Sequence, residues 1–143
     1  MTSFVLDASV ASKWVIPDGR EPLMGTALRL LQQYRDGELD FIVPDVFWAE
    51  VGNALWRGVK QGRWNRARAG LAAEEMRERD FQTVPSRLLV GEALEIASTY
   101  DRNIYDCLYA ALAVQARTEL ITADERLANA LAARFPVKWL GAF

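Results

Sequence analysis

Short apolar segments typical of β-strands alternate with helical segments along this chain. Strands are predicted at Ser3–Leu6, Phe41–Val43, Phe81–Val84, Leu120–Thr122 and Val137–Leu140. Helices are predicted at Ala8–Ile16, Glu21–Arg35, Asp45–Gln61, Asn65–Arg79, Ser86–Tyr100, Asp106–Arg117 and Asp124–Arg134. This alternation is typical of parallel sheets, because each parallel connection needs a crossover that is usually a helix. We therefore predict an α/β fold with a small, mostly parallel sheet flanked by helices.

The size and composition of the chain indicate one globular domain, residues 1–143. Hydrophobic residues make up 51% and charged residues 25% of the sequence, which argues against long disordered segments. The net charge is −2 and the isoelectric point is about 5.2. The protein as a whole is therefore not a polycation, and any contact with nucleic acid must come from a local basic patch.

Cysteine and histidine usage excludes several kinds of chemistry. The chain has no histidine, which removes Ser-His and Cys-His catalysis and histidine-ligated zinc. Its one cysteine, Cys107, lies in an apolar segment and is predicted to be a buried, unreactive thiol. A single cysteine allows no intramolecular disulfide, which fits a reducing cytoplasm.

We expect no signal peptide, because the N-terminus lacks a basic segment, and no bilayer-spanning segment of roughly 20 apolar residues. The expected location is cytoplasmic.

Acidic residues interrupt the apolar pattern at Asp7, Glu50, Asp106 and Asp124. Ionised carboxylates are rarely buried without partners. Two of them about 4 Å apart repel by roughly 4 kcal/mol at an effective dielectric constant of about 20. A fold that gathers these residues therefore requires protons or a cation, and hard divalent cations prefer oxygen ligands of this kind.

Asp7 and Asp124 each follow a predicted strand. Ligands of open α/β sheets bind beyond the carboxyl ends of the strands, so both residues are expected at the same edge of the sheet. Each residue also precedes a helix, and a helix N-cap is the alternative interpretation of both.

Glu50 and Asp106 lie on predicted helices. Glu50 borders an apolar helical face, and the alternative is an ordinary solvated glutamate. Asp106 opens an almost wholly apolar helix, where it would also complement the helix dipole. Asp101 and Asn103, in the preceding loop, are competing candidates that look more exposed.

The order and spacing of these acidic residues resemble those of a known protein family. The chain resembles the PIN-domain family and, within it, the VapC-type toxins of toxin–antitoxin pairs. The segments that carry the resemblance are Val5–Ser9, Pro44–Leu55, Tyr105–Ala113 and Leu120–Leu127. The resemblance extends over nearly the whole chain, and the acidic pattern of the family is complete.

The resemblance implies a three-layer PIN-like fold and a Mg²⁺-dependent endoribonuclease, with Mn²⁺ as an alternative metal. It implies that Asp7, Asp106, Asp124 and Glu50 form the catalytic, metal-binding pocket, with Asp7 and Asp106 as the firmest ligands. Glu50 would orient or deprotonate the attacking water, and Ser9 and Thr122 would be outer hydroxyls. It also implies an RNA substrate, a homodimer and a VapB-like antitoxin that often inserts an Arg into the pocket.

Phosphodiester chemistry supports the same hypothesis independently. Without histidine the chain has no standard metal-free acid–base pair for RNA cleavage, so metal catalysis is the economical route. Hydrolysis by water would leave a 5′-phosphate and a 3′-hydroxyl.

Basic and aromatic residues supply candidates for RNA and partner contacts. The residues considered as contacts to the RNA backbone are Arg57, Lys60, Arg63, Arg66, Arg68 and Lys13. The alternative for each of them is an ordinary place on a solvent-exposed face of a helix. The aromatic residues considered for base stacking are Trp56, Trp64 and Tyr105, with core or partner burial favoured for Trp56. Trp14–Ile16, which looks exposed, and Phe47–Trp48 are candidate surfaces for an antitoxin or a second subunit.

Two further classes of function are considered. One is a non-catalytic module of the same fold that binds an antitoxin or an RNA. The other is a different Mg²⁺-dependent phosphotransfer domain, such as a response-regulator receiver, which the absence of an N-terminal acidic pair disfavours. A dehalogenase-type phosphatase is excluded because Asp7–Ser9 reads Asp-Ala-Ser rather than Asp-x-Asp.

Overall fold

The structure, a computed structural model, describes residues 2–143 and has a single five-stranded sheet at its centre. The strands are β1 (Thr2–Leu6), β2 (Leu39–Pro44), β3 (Gln82–Val84), β4 (Leu120–Thr122) and β5 (Val137–Trp139). Their order across the sheet is β3-β2-β1-β4-β5, and all four pairings are parallel. The predicted α/β class and parallel sheet are therefore confirmed.

Seven α-helices connect and cover these strands within the described residues. They are α1 (Ala8–Val15), α2 (Met24–Arg35), α3 (Val46–Lys60), α4 (Arg66–Arg77), α5 (Val90–Tyr100), α6 (Ile104–Ala116) and α7 (Glu125–Leu131). Helix α1 packs against α2, α3 and α4, whereas α5 packs against α6, which lies on the central strands. No helix in residues 2–143 is long and apolar enough to cross a membrane.

The central strand, β1, is buried on both faces of the sheet. Val5 and Leu6 point to opposite faces of β1 and are both fully buried. Helix α6 is apolar almost all round, and every residue from Cys107 to Ala113 is buried. A helix of this composition belongs in the interior, next to the strands. Cys107 is buried within it as predicted, and burial raises the pKa of its thiol to about 11.

Several predicted element boundaries differ from the structure. Helix α2 begins at Met24 rather than Glu21, because Leu23 before it has a left-handed backbone with a φ of 61°. Ser86 was predicted to cap a helix but starts a 3₁₀ turn, and α5 begins only at Val90. The Ser86 hydroxyl instead donates to the carboxylate of Asp45, which makes no capping bond of its own to α3. A contact between distant segments thus replaces two predicted caps.

The expected exposure of Trp14–Ile16 is wrong. All three residues are buried, and the Trp14 indole N–H donates to the carbonyl of Ala27 at 2.7 Å. The Trp14 ring lies 5.7 Å from the Phe41 ring and 6.4 Å from the Phe81 ring, measured between centroids. This segment therefore joins α1 to α2 and β2 and cannot serve as a partner surface.

Candidate functional site

Asp7 lies at the carboxyl end of the central strand and is buried, with 6% of its surface exposed. It occupies the N-cap position of α1, but its side chain makes no capping hydrogen bond. Its Oδ2 atom instead accepts hydrogen bonds from Ser9 Oγ and Thr122 Oγ1, each at 2.7 Å. The capping alternative therefore does not explain this carboxylate.

The two hydroxyls that bind Asp7 are themselves held by backbone N–H groups. Ala123 N donates to Ser9 Oγ at 3.0 Å, and Asp124 N donates to Thr122 Oγ1 at 3.0 Å. Since each hydroxyl has one proton, accepting from the backbone directs that proton toward Asp7. The backbone after β4 thus helps to fix the side chain of Asp7, which follows β1.

Asp124 follows β4 and is the N-cap of α7. Its Oδ1 atom accepts a hydrogen bond from Leu127 N at 3.2 Å, so the capping interpretation is correct for this residue. The side chain also borders the cavity that Asp7 lines. One carboxylate oxygen therefore serves the helix, while the residue remains next to Asp7.

Glu50 and Asp106 reach the same place from α3 and α6. The buried Tyr109 hydroxyl donates to Glu50 Oε1 at 2.7 Å. Asp106 Oδ2 accepts from Asn103 Nδ2 at 3.1 Å and from Arg102 Nη2 at 3.5 Å. Both carboxylates are half-buried, so neither is an ordinary solvated surface residue.

The competing residues before α6 have other roles. Asn103 is the N-cap of α6 and accepts from Asp106 N at 2.9 Å, so it supports Asp106 from both sides. Asp101 is exposed at the left-handed end of α5, with a φ of 54°. Of the candidates in this loop region, only Asp106 lines the cavity.

All four predicted acidic residues line one cavity of about 200 Å³, which we call the acidic cavity. Its complete lining is Asp7, Ala8, Ser9, Ser12, Glu50, Asn53, Ala54, Arg57, Asp106 and Asp124. The structure therefore brings together carboxylates that are up to 117 positions apart in the chain. Among residues 2–143, however, no three acidic or thiol side chains stand close enough to form a ready-made metal cage.

The electrostatics of the acidic cavity disfavour its charged state. Burial raises the pKa of Asp7, and the neighbouring Asp124 raises it further, against the hydrogen bonds from Ser9 and Thr122. Burial likewise raises the pKa of Glu50 and of Asp106, with Asp7 adding repulsion in both cases. A positive ion or a proton in this cavity would relieve both the burial cost and the repulsion.

These shifts predict how stability depends on pH. Between the ordinary carboxyl pKa, about 4, and the raised values, the folded state binds more protons than the unfolded state. Each of these carboxyl groups therefore lowers the free energy of unfolding of the protein as pH rises through that window. We expect Asp106→Asn to melt higher than the wild type in metal-free buffer, by a margin that grows with pH. Thermal melting from about pH 4.5 to pH 8 measures this, with the exposed Asp80→Asn as control. A margin that shrinks with rising pH would contradict it.

Two residues of the site were missed by sequence reasoning. Tyr109 binds Glu50, and Arg102 pairs with Asp106. Tyr109 lies three positions after Asp106 on the same helix, and that spacing was an available signal. For Arg102, the only signal was its place four residues before Asp106.

The basic and aromatic candidates divide by location. Arg57 lines the acidic cavity, whereas Arg63 is held by both oxygens of Asp18, at 2.9 and 3.0 Å. Trp64 is buried against Gly58 and donates to Leu55 O, so it is not available for base stacking. Trp56 is not buried in the core, because 52% of its surface is exposed, so burial against a partner is the part of that prediction that stays open.

The PIN domain family model matches residues 4–131, which is most of the chain and includes all four acidic residues. The chain belongs to the PIN-domain family. A search of curated proteins gave no match.

Several solved structures share the fold of this chain at low sequence identity. The PAE2754 protein of Pyrobaculum aerophilum matches with a TM-score of 0.71 and 20% identity, covering 99% of this chain and 85% of that one. VapC20 of Mycobacterium tuberculosis, described as a toxin that cleaves the sarcin–ricin loop, matches with a TM-score of 0.66 and 17% identity over 92% of this chain and 95% of that one. VapBC-1 of nontypeable Haemophilus influenzae matches with a TM-score of 0.58 and 17% identity over 96% of both chains. The structural neighbours of this PIN domain thus include VapC toxins of toxin–antitoxin systems.

Proposed function

We propose that this PIN domain is a metal-dependent endoribonuclease that acts as the toxin of a VapC-type toxin–antitoxin pair. The observation that carries the proposal is the gathering of Asp7, Glu50, Asp106 and Asp124 around one cavity at the carboxyl edge of the sheet. Family membership and the VapC structural neighbours support it.

The donor chemistry of the acidic cavity fits a hard divalent cation. Four carboxylates line the cavity, and burial raises the pKa of three of them, Asp7, Glu50 and Asp106. We assign Asp7 and Asp106 as the principal ligands of Mg²⁺ or Mn²⁺, with Asp124 and Glu50 completing the set directly or through water. Such an ion supplies a water of lowered pKa and shields the charge of the phosphate.

The side chains around the site have separate tasks in the proposed reaction. Ser9 and Thr122 hold Asp7 in one orientation, and the Tyr109 hydroxyl holds one oxygen of Glu50. The second oxygen of Glu50 would orient the attacking water or accept its proton. In-line attack of water on the phosphodiester would then leave a 5′-phosphate and a 3′-hydroxyl.

Thr122 provides a test of this supporting network. Thr122→Val keeps the shape of the side chain but removes the hydroxyl that binds Asp7 at 2.7 Å. We expect kcat for RNA cleavage to fall by about 10- to 100-fold, the usual loss when a group that orients a metal ligand is removed. Cleavage assays measure the change, and Thr118→Val at the opposite edge of the sheet is the matched control. Equal activity of Thr122→Val and the wild type would show that Asp7 needs no such support.

We further propose a VapB-like antitoxin as the partner of this domain. An exposed groove of about 250 Å³ lies between α3 and α4, and its lining includes Trp56, Val59 and Ala69. An apolar groove beside an exposed tryptophan suits the apolar face of a partner peptide. This groove replaces Trp14–Ile16 as the candidate surface.

We also propose a homodimer. It would form through exposed apolar residues of α5 and α6, such as Leu94 and Val114.

Incubation of the purified protein with total cellular RNA, with and without Mg²⁺, tests the proposed function. We expect discrete fragments that carry 5′-phosphates, formed only when a divalent cation is present. We expect a short reading frame beside the gene to encode an antitoxin, and co-expression with its product should suppress the cleavage. Tight RNA or antitoxin binding without cleavage under any metal condition would favour the non-catalytic module instead.

A further inference from the structure

A second and larger cavity continues from the acidic cavity. It has a volume of about 470 Å³, and we call it the basic cavity because Lys13, Arg57 and Arg63 are among its lining residues. The residues that it shares with the acidic cavity are Ser9, Ser12, Ala54, Arg57 and Asp124. The two cavities therefore form one groove that is negative at one end and carries cations at the other.

The cations of the basic cavity are not equivalent. Arg63 is neutralised by Asp18, whose two carboxylate oxygens accept hydrogen bonds from Nε and Nη2 of Arg63. Lys13 has only 8% of its surface exposed and forms no salt bridge with any of the described residues. Arg57 is exposed and likewise forms no salt bridge within residues 2–143.

Lys13 differs from Arg57 in being largely buried. An ammonium group that is partly removed from water is unfavourable unless an anion compensates it. Burial accordingly lowers the pKa of Lys13, against an opposing effect from Glu21, which lines the same cavity without approaching to salt-bridge distance. Lys13 on α1 and Arg57 on α3 thus line the same cavity, whose volume of about 470 Å³ leaves space for an anion.

We propose that Lys13 and Arg57 form a phosphate-binding subsite that holds the RNA phosphodiester next to the one being cleaved. This inference rests on the proposed ribonuclease function. Lys13 supplies a point charge and Arg57 a planar set of donors, and both kinds of group bind phosphate oxygens. Since the groove runs directly into the acidic cavity, a strand anchored at this subsite places its neighbouring phosphodiester at the carboxylates.

The test measures binding of a ten-nucleotide oligouridylate to the Asp7→Asn protein by fluorescence anisotropy. In this cleavage-deficient background we expect Lys13→Met and Arg57→Met each to weaken binding about tenfold at low salt, the scale of one lost charge-assisted contact. Each should also reduce the slope of log K against log salt concentration by about 0.7. Arg35→Gln, an exposed change at the end of α2 and at the opposite edge of the sheet, should alter neither quantity.

The double variant tests whether both cations bind the same phosphate. If they do, Lys13→Met combined with Arg57→Met should weaken binding by clearly less than the product of the single effects. Strict additivity would overturn the shared subsite. Because Arg57 is exposed, its variant tests the proposal even if Lys13→Met fails to fold, which thermal melting would show.

Kinetics of the variants with intact Asp7 separate the subsite from the proposed function. A subsite that binds substrate and transition state equally should raise KM and leave kcat nearly unchanged. Cleavage by the wild type together with unchanged RNA affinity, salt slope and KM in both variants would overturn the subsite alone. Absence of both cleavage and RNA binding in the wild type would overturn the ribonuclease proposal and the subsite with it.

Discussion

Asp7→Asn is expected to reduce the rate of RNA cleavage by about a thousandfold or more. The substitution removes the charge of the most buried carboxylate of the acidic cavity, and about a thousandfold corresponds to roughly 4 kcal/mol of transition-state stabilisation. The asparagine oxygen can still accept the hydrogen bonds from Ser9 and Thr122, so the fold should be kept. Cleavage of a defined RNA by purified proteins measures the effect.

The stability of the same variant provides the control for this prediction. Because burial and Asp124 disfavour the Asp7 carboxylate, removing its charge should leave the melting temperature unchanged or raise it by a few degrees. Loss of activity with a retained melting temperature assigns the effect to chemistry. A folded Asp7→Asn protein that cleaves RNA as fast as the wild type would remove Asp7 from the catalytic site.

Gly58→Ala is expected to cause a large loss of stability. A Cβ atom at Gly58 would lie 1.8 Å from Cζ2 of the Trp64 ring. Trp64 is buried and its indole N–H donates to Leu55 O at 2.9 Å, so the ring cannot move aside without losing this bond. Overpacking of this kind costs roughly 1–3 kcal/mol, and the lost hydrogen bond adds to it.

Gly52→Ala on the same helix is the matched control. A Cβ atom there meets no atom within 4 Å, so the alanine should stabilise the helix by roughly 0.5–1 kcal/mol. Thermal melting should therefore move in opposite directions for the two variants. A Gly58→Ala protein that melts at or above the wild-type temperature would show that Trp64 repacks freely.

The part of the site that lies on strand ends was predictable from sequence. Asp7 and Asp124 follow two apolar segments, and parallel topology alone places the ends of such strands at one edge. In the structure β1 and β4 are neighbours, and the Thr122 hydroxyl binds Asp7 directly. Local pattern and a general rule of α/β sheets were sufficient here.

The part of the site that lies on helices depends on packing that sequence does not encode locally. Glu50 is fixed by Tyr109, 59 positions away, so its orientation follows from how α3 and α6 meet. The family resemblance, rather than helical periodicity, placed Glu50 and Asp106 in the pocket. Their catalytic roles stay predictions until variants are measured.

The errors of the sequence reasoning have the same physical origin. Trp14 was expected to be exposed, yet its indole N–H bonds to Ala27 and its ring packs on Phe41. Ser86 looked like a helix cap, yet its hydroxyl binds Asp45 across the loop. In both cases a long-range partner replaced the local one that the pattern suggested.

Binding of Mn²⁺ to the purified protein, followed by electron paramagnetic resonance, tests most directly whether the gathered carboxylates form a metal site. We predict saturable binding to the wild type, competition by Mg²⁺, and strong loss of affinity in Asp7→Asn and Asp106→Asn, with Asp80→Asn unchanged. Equal Mn²⁺ affinity in all four proteins, or no saturable binding in any of them, would contradict the account.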